Sequence, residues 1–141
     1  MADSQSAETV KKLYASFAVG DVPAVLAEFH PNIHWLEAEG NPLAAGNPYT
    51  GPEAVLHGVF LYLVERIDNF SATPQRFVDG GDVVVAEGRY TGTVKANGTA
   101  LDAQFAHVWR FRDSKVAEFQ QYTDTAQWSA LLNAHAGGDY E

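Results

Sequence analysis

Along the first half of the chain apolar side chains recur every three or four residues, and after Asp68 they alternate with polar ones. The change from a period of about 3.6 to a period of 2 predicts helices first and strands afterwards. Val10, Leu13, Tyr14 and Phe17 stand at i, i+3, i+4 and i+7, one stripe of a first helix that Gly20 stops. Asp21 is placed to cap a second helix, Pro23 falls in its first turn, and Val22, Val25, Leu26 and Phe29 repeat the stripe until Pro31 and Asn32 end it. Ile33 to Ala38 reads as a short extended run, and residues 40–52, rich in glycine and proline, read as a loop. Thr50 with Glu53 three residues on marks the start of a third helix, whose inward face is Leu56, Phe60 and Leu63.

The alternating half predicts four strands. They run over residues 70–78, 82–94, 100–112 and 116–123, with turns at Asp79-Gly80-Gly81-Asp82, Asn97-Gly98 and Asp113-Ser114. Pro74 marks an edge strand or a bulge. A closing helix over 125–134 carries Trp128, Leu131 and Leu132. Helices followed by an antiparallel meander indicate an α+β fold, with helices on one face of a curled sheet and an apolar hollow between them. A single domain over residues 1–141 is expected, with a core from about 7 to 135 and loose tails at 1–6 and 136–141.

Composition narrows the chemistry. The net charge of −9 argues against nucleic acid and anionic membrane surfaces as partners. There is no cysteine, so disulfides, thiolate catalysis and zinc–sulfur sites are excluded. His30 and His34 are separated by Pro31 and do not share a helix face, so no metal site is expected. Phosphate-loop, HExxH and GxSxG patterns are missing. The amino-terminal residues carry no basic, apolar leader pattern, and the most apolar stretch, residues 54–64, is too short to span a bilayer. A cytoplasmic protein without a cofactor is the expectation.

Strand alternation selects the candidates. Phe105, His107, Trp109 and Phe111 share one face of their strand, opposite Arg110 and Arg112, and this aromatic row is assigned to the concave side. Glu37 goes with Ile33 and Trp35. A carboxylate beside a tryptophan is either a desolvated general base or a solvated group at the pocket mouth. His107 is either a donor to a ligand oxygen or a core histidine satisfied by a neighbour. On the last strand Val116, Glu118, Gln120, Tyr122 and Asp124 form one set unless a bulge exchanges the faces. Asp124, just before Thr125, suits a helix cap as well as chemistry. Tyr14, Trp35, Tyr49, Phe60, Tyr90, Phe105, Trp109 and Tyr122 are the expected ligand-binding residues.

The segments GDVPAVLAEFHPNIHW, NPYTGPEAV, DVVVAEGRYTGT, FAHVWRFRD and VAEFQQYTDT resemble the SnoaL-like, ketosteroid-isomerase-related branch of the nuclear transport factor 2-like superfamily, over about residues 10–132. The resemblance implies a cone-shaped α+β barrel with a deep apolar pocket, and a homodimer packed through the sheet. Members of the branch isomerise steroids, cyclise polyketides, hydrolyse epoxides, dehydrate or only bind. Carried over by position, the isomerase's base falls at Glu37 and its oxyanion-binding acid at His107, while its oxyanion tyrosine falls at Leu13, one residue from Tyr14. The cyclases' acid/base aspartate is matched loosely by His107 and Asp124. The implied activity is cofactor-free acid/base catalysis by Glu37, His107 and Asp124 on a small apolar carbonyl compound. The alternatives are a binder of a small hydrophobic molecule and a scaffold whose pocket is plugged by its own side chains.

Overall fold

The computed structural model describes the backbone of residues 2–138 and the side chains of residues 2–132. Helix α1 (Gln5–Ala18) turns into α2 (Val22–Ala27), and the chain then enters strand β1 (Phe29–Leu36). The second helix was expected to run to Pro31, but Phe29 already belongs to the strand and pairs with Val116. Phe29 is buried by β pairing, so its place in the helical stripe is coincidental. A 3-10 turn (Pro42–Gly46) and the two-residue strand β2 (Tyr49–Thr50) occupy the segment expected to be irregular. Thr50 therefore sits in a strand, and Gly51, with φ of 87°, starts the next helix without a side-chain cap.

That helix is not continuous. An α turn, α3 (Pro52–Val55), passes into a π-helical turn (Leu56–Phe60) and then α4 (Leu61–Arg66). The extra residue of the π turn rotates the face, so Val55, Val59, Phe60 and Leu63 are buried while Leu56 is only half-buried. Strands β3 (Ile67–Asp79), β4 (Val83–Val94), β5 (Ala100–Arg112) and β6 (Lys115–Thr123) form the meander, and α5 (Thr125–Gly138) closes the fold. The turn at Asp113 and Ser114 has both residues at positive φ, 55° and 63°, as a tight hairpin requires. The amino-terminal tail, expected to be loose through residue 6, is anchored from Ser4. The Ser4 amide and hydroxyl donate to the Asp79 carboxylate at 2.7 Å each, and Ser4 Oγ accepts the Ala7 amide at 3.0 Å. Of the other tail, residues 136–138 continue α5, and 139–141 lie outside the described residues.

The six strands are ordered β2-β1-β6-β5-β4-β3, with β1 and β6 parallel and the other neighbours antiparallel. The sheet is curled rather than closed into the expected barrel: β2 and β3 remain its edges. The curl has local causes. Register slips lie between Asp68 and Ser71, between Pro74 and Arg76, and beside Phe111 on β5, and each bulge bends its strand and adds twist. Pro74 is thus both at an edge and at a bulge. The wrapped face and the helices enclose a core that includes Val10, Ile33, Val55, Val84, Phe119 and Trp128.

Gly88 permits the tightest bend. It pairs with Pro74, and a Cβ there would meet the Thr73 carbonyl oxygen, the Phe105 ring at 2.7 Å and Pro74 Cα at 2.9 Å. Two of these are main-chain atoms that cannot rotate away. Gly88→Ala is expected to lower the unfolding free energy by ~1–3 kcal/mol. A urea midpoint that falls at unchanged slope would be the signature, and an unaltered midpoint would contradict it.

Candidate functional site

Four elements and the segment after β1 deliver the polar groups of the interior. Tyr14 comes from the buried stripe of α1, Tyr90 from β4, His107 and Trp109 from alternate positions of β5, and Gln121 from β6. Glu37 follows the last residue of β1 and keeps the inward parity of Ile33 and Trp35. Tyr14, Trp35, Glu37, Tyr90, His107, Trp109 and Gln121 all line one cavity of about 60 Å³. At ~10–15 Å³ per water by this measure, that is room for roughly four to six heavy atoms. Phe60 from the π turn and Phe119 from β6 add to a largely aromatic wall, with Leu13, Val25, Val59 and Leu63 between the rings.

The polar groups form a connected chain. The Trp109 indole N–H donates to the Tyr14 hydroxyl oxygen at 3.0 Å, and Tyr14 Oη lies 2.6 Å from His107 Nδ1. His107 Nε2 lies 2.5 Å from Tyr90 Oη, which accepts from Gln121 Nε2 at 2.8 Å. Gln121 Oε1 accepts the Ala38 main-chain amide and Asn41 Nδ2, both at 3.1 Å. Among the described residues no buried side-chain nitrogen or oxygen lacks a partner. This satisfaction is what allows such groups in a dry interior.

Glu37 is 2 % exposed, and its Oε2 accepts the Trp35 indole N–H at 2.9 Å. Asn47 grips the Glu37 main chain from both sides, accepting its amide at 2.9 Å and donating to its carbonyl at 2.8 Å. Burial pushes the Glu37 carboxyl up to about 7, against the opposing Trp35 hydrogen bond. Burial holds His107 down to about 3, so its imidazole is neutral at neutral pH. Burial also raises Tyr14 and Tyr90, Tyr90 further through the charge of Glu37, so both phenols keep their protons. The cavity therefore holds one proton acceptor tuned near neutrality and a set of neutral donors. Among the described residues no three His, Asp or Glu side chains gather as metal ligands.

Several expected site residues stand elsewhere. Tyr122 is 56 % exposed on the outer face of the sheet. Asp124 is exposed and caps α5, its Oδ1 accepting the Gln127 amide at 3.2 Å. Both displacements follow from the bulge at Ala117: Phe111 pairs with Val116, but Arg110 pairs with Glu118, so Phe119 and Gln121 turn inward instead of Gln120 and Tyr122. Phe105 is buried behind His107, stacked at 3.9 Å between ring centroids, and does not line the cavity. Tyr49 is outside the cavity as well: its ring fits against Gly46 and Gly58, and its hydroxyl donates to the Leu43 carbonyl at 2.6 Å. Leu13, the position matched to the isomerase's tyrosine, also faces the cavity beside Tyr14. Gln121, Asn41 and Asn47 are the residues that strand parity missed. The opposite charges of Arg110 and Glu118, which face each other across the hairpin at 3.4 Å, are the signal that could have set the register and found Gln121.

The two perturbed groups act on stability in opposite directions. Glu37 rises from 4.5 to about 7 on folding, so its contribution is whole below pH 4.5 and is lost as pH rises through 7. His107 falls from 6.5 to about 3, so its contribution is whole above pH 6.5 and is lost as pH falls toward 3. Between 4.5 and 6.5 the slopes cancel. Glu37→Gln removes one of them. Relative to the parent, the variant is expected to gain roughly 3 kcal/mol of stability as pH is raised from about 4 to about 8.5. Urea unfolding at both pH values measures this, and an equal effect at the two would contradict a perturbed Glu37.

The SnoaL-like domain family matches residues 10–119. An NTF2-like protein from Burkholderia thailandensis E264 is 30% identical, with 93% of this chain and 98% of that chain covered and a TM-score of 0.85. TerC, co-crystallised with polyporic acid, is 25% identical, with 92% and 99% covered and a TM-score of 0.80. A putative SnoaL-like polyketide cyclase from Jannaschia sp. CCS1 shares the fold at 18% identity, with 92% of each chain covered and a TM-score of 0.78. No curated protein matches the chain. Family match, sheet order and the aromatic cavity agree, and the chain belongs to the SnoaL-like domain family, built on the NTF2-like fold.

Proposed function

We propose that this protein is a cofactor-independent acid/base catalyst acting on a small, largely apolar carbonyl compound. One observation carries the reading: a cavity walled by aromatic rings contains a single carboxylate, held near neutrality, together with a cluster of neutral hydroxyl and imidazole groups. Glu37 takes the proton from the carbon next to the carbonyl. The hydroxyl cluster donates a hydrogen bond to the oxygen as enolate charge develops. Glu37 then returns the proton, to the same carbon or to another conjugated with it. Trp35, Trp109, Phe60 and Phe119 keep water out, which strengthens both interactions. Family membership supports a proton-transfer reaction, since proteins described as a polyketide cyclase and an isomerase share this fold, and the co-crystallisation of TerC with polyporic acid is in keeping with an organic ligand.

The second reading is a non-catalytic binder. It is favoured by the internal pairing of the buried polar atoms, and by the burial that keeps His107 neutral and far from any titration near pH 7. The two readings part on rate. Deuterium uptake from D₂O into a panel of small enolisable ketones, followed by NMR, is expected to be accelerated by the protein. The rate should rise with pH through about 7, as Glu37 loses its proton. Glu37→Gln is expected to lower it ~10²–10⁴-fold. Uptake at the buffer rate with the parent protein would leave the binder.

A second copy of this chain is the proposed partner of the outer sheet face. That face presents Tyr122 at 56 % exposed, with Val85, Ala106 and Val108 only half-buried. Sedimentation equilibrium should find a dimer, and a monomer at micromolar concentration would count against it.

A further inference from the structure

The hydrogen-bond chain Trp109–Tyr14–His107–Tyr90–Gln121 can be counted proton by proton. Its two ends have fixed polarity. An indole N–H only donates, so Tyr14 Oη must accept from Trp109. Asn41 Oδ1 accepts the Leu43 amide, so its Nδ2 is the donor to Gln121. Gln121 Oε1 is occupied by that donor and by the Ala38 amide, so Gln121 Nε2 must be what Tyr90 Oη faces. Between these ends lie two gaps, Tyr14 to His107 and His107 to Tyr90. A neutral histidine and two neutral phenols bring three protons to them. One hydroxyl proton is therefore left without a partner in the chain, on a residue that lines the cavity.

Its position is a choice between two tautomers. With the proton on Nε2, the order is Tyr14 O–H to Nδ1, Nε2–H to Tyr90, and the Tyr90 hydroxyl is free to donate. With the proton on Nδ1 every bond reverses and Tyr14 is free. The titratable groups on the cavity wall are Glu37, Tyr14, Tyr90 and His107, with no Lys or Arg. Tyr90 stands at the Glu37 end of the chain, joined through Gln121 to the amide of Ala38, the residue after Glu37, whereas Tyr14 stands at the Trp109 end; the charge of Glu37 accordingly helps to raise the Tyr90 phenol. A row of aligned hydrogen bonds has its positive end at the free hydroxyl, so an ionised Glu37 draws that end toward Tyr90. Glu37, held by the Trp35 indole through Oε2, lines the same cavity and is the acceptor of the site.

We infer that Tyr90, not His107, is the residue that hydrogen-bonds the ligand, and that His107 is a positioning residue, an Nε2-protonated relay between Tyr14 and Tyr90 whose polarity Trp109 and Gln121 hold from outside. The ligand class is a compact molecule with one acceptor oxygen, a ketone or enone of about six heavy atoms, bound with that oxygen at Tyr90 and its neighbouring carbon toward Glu37. This rests on the cavity being the ligand site, as proposed above, and names the donor within it.

Two measurements test it. In protein labelled with ¹⁵N at histidine and held near pH 8.5, the ring nitrogens of His107, assigned by their loss in His107→Asn, should show a protonated Nε2 and a bare Nδ1. A protonated Nδ1 would overturn the assignment. The second measurement compares cyclopentanone with methylenecyclopentane, which has the same shape and no acceptor. The parent protein should bind the ketone roughly tenfold more tightly, as expected for one hydrogen bond. Tyr14→Phe should keep that preference and Tyr90→Phe should lose it, with near-ultraviolet circular dichroism verifying that both are folded. Loss in Tyr14→Phe with retention in Tyr90→Phe would reverse the donor and overturn the inference. If both probes bind the parent equally, the ligand site stands and the donor falls. If neither binds, the reading of the cavity as a ligand site falls, and the inference with it.

Discussion

A neutral imidazole clasped at both nitrogens by phenol oxygens lies at the centre of this interior, and most of what surrounds it follows from keeping that arrangement dry and paired. An unpaired polar group buried among tryptophans and phenylalanines would cost about 1–3 kcal/mol. The molecule avoids this by drawing partners from α1, β4, β5, β6 and the segment after β1. Each partner belongs to a different element, so the network forms only when the fold is complete. The same pairing ties the segment after β1 to the last strand, because Gln121 is held by Ala38 and Asn41. Glu37 lies in that segment, and its acidity depends on the closure.

The sheet supplies the geometry through its irregularities. A regular six-stranded sheet would twist without enclosing anything. Bulges at three positions along the meander bend it, and the one at Ala117 also decides which residues of β6 face inward. The site is therefore assembled by a departure from strand regularity, and the departure is as much a part of the site as the side chains it turns.

This explains what could be read in advance. The helices of the first half, the three turns, and the inward row Phe105, His107, Trp109 follow from local periodicity and turn chemistry, which a linear sequence carries. Glu37 was legible because Trp35 and Ile33 share its parity. The π turn at Leu56–Phe60, the inward rotation of Gln121 and the grip of Asn47 on Glu37 were not, because each depends on pairing between segments far apart in the chain. Tyr122 and Asp124 were misplaced by a one-residue insertion, which inverts every later position of a strand. Phe29 was misread because its spacing suits a helix while its partner, Val116, is 87 residues away in a strand.

Tyr49 has a role beyond its absence from the cavity wall. Its ring is wedged against the alpha carbons of Gly46, in the 3-10 turn, and Gly58, in the π turn, and its hydroxyl returns to Leu43. The covering segment and the helical wall that carries Val59 and Phe60 are thereby keyed together like two boards sharing a dowel. Moving the wall that carries Val59 and Phe60 therefore disturbs the 3-10 turn as well, around a ring whose seat two glycines make flat.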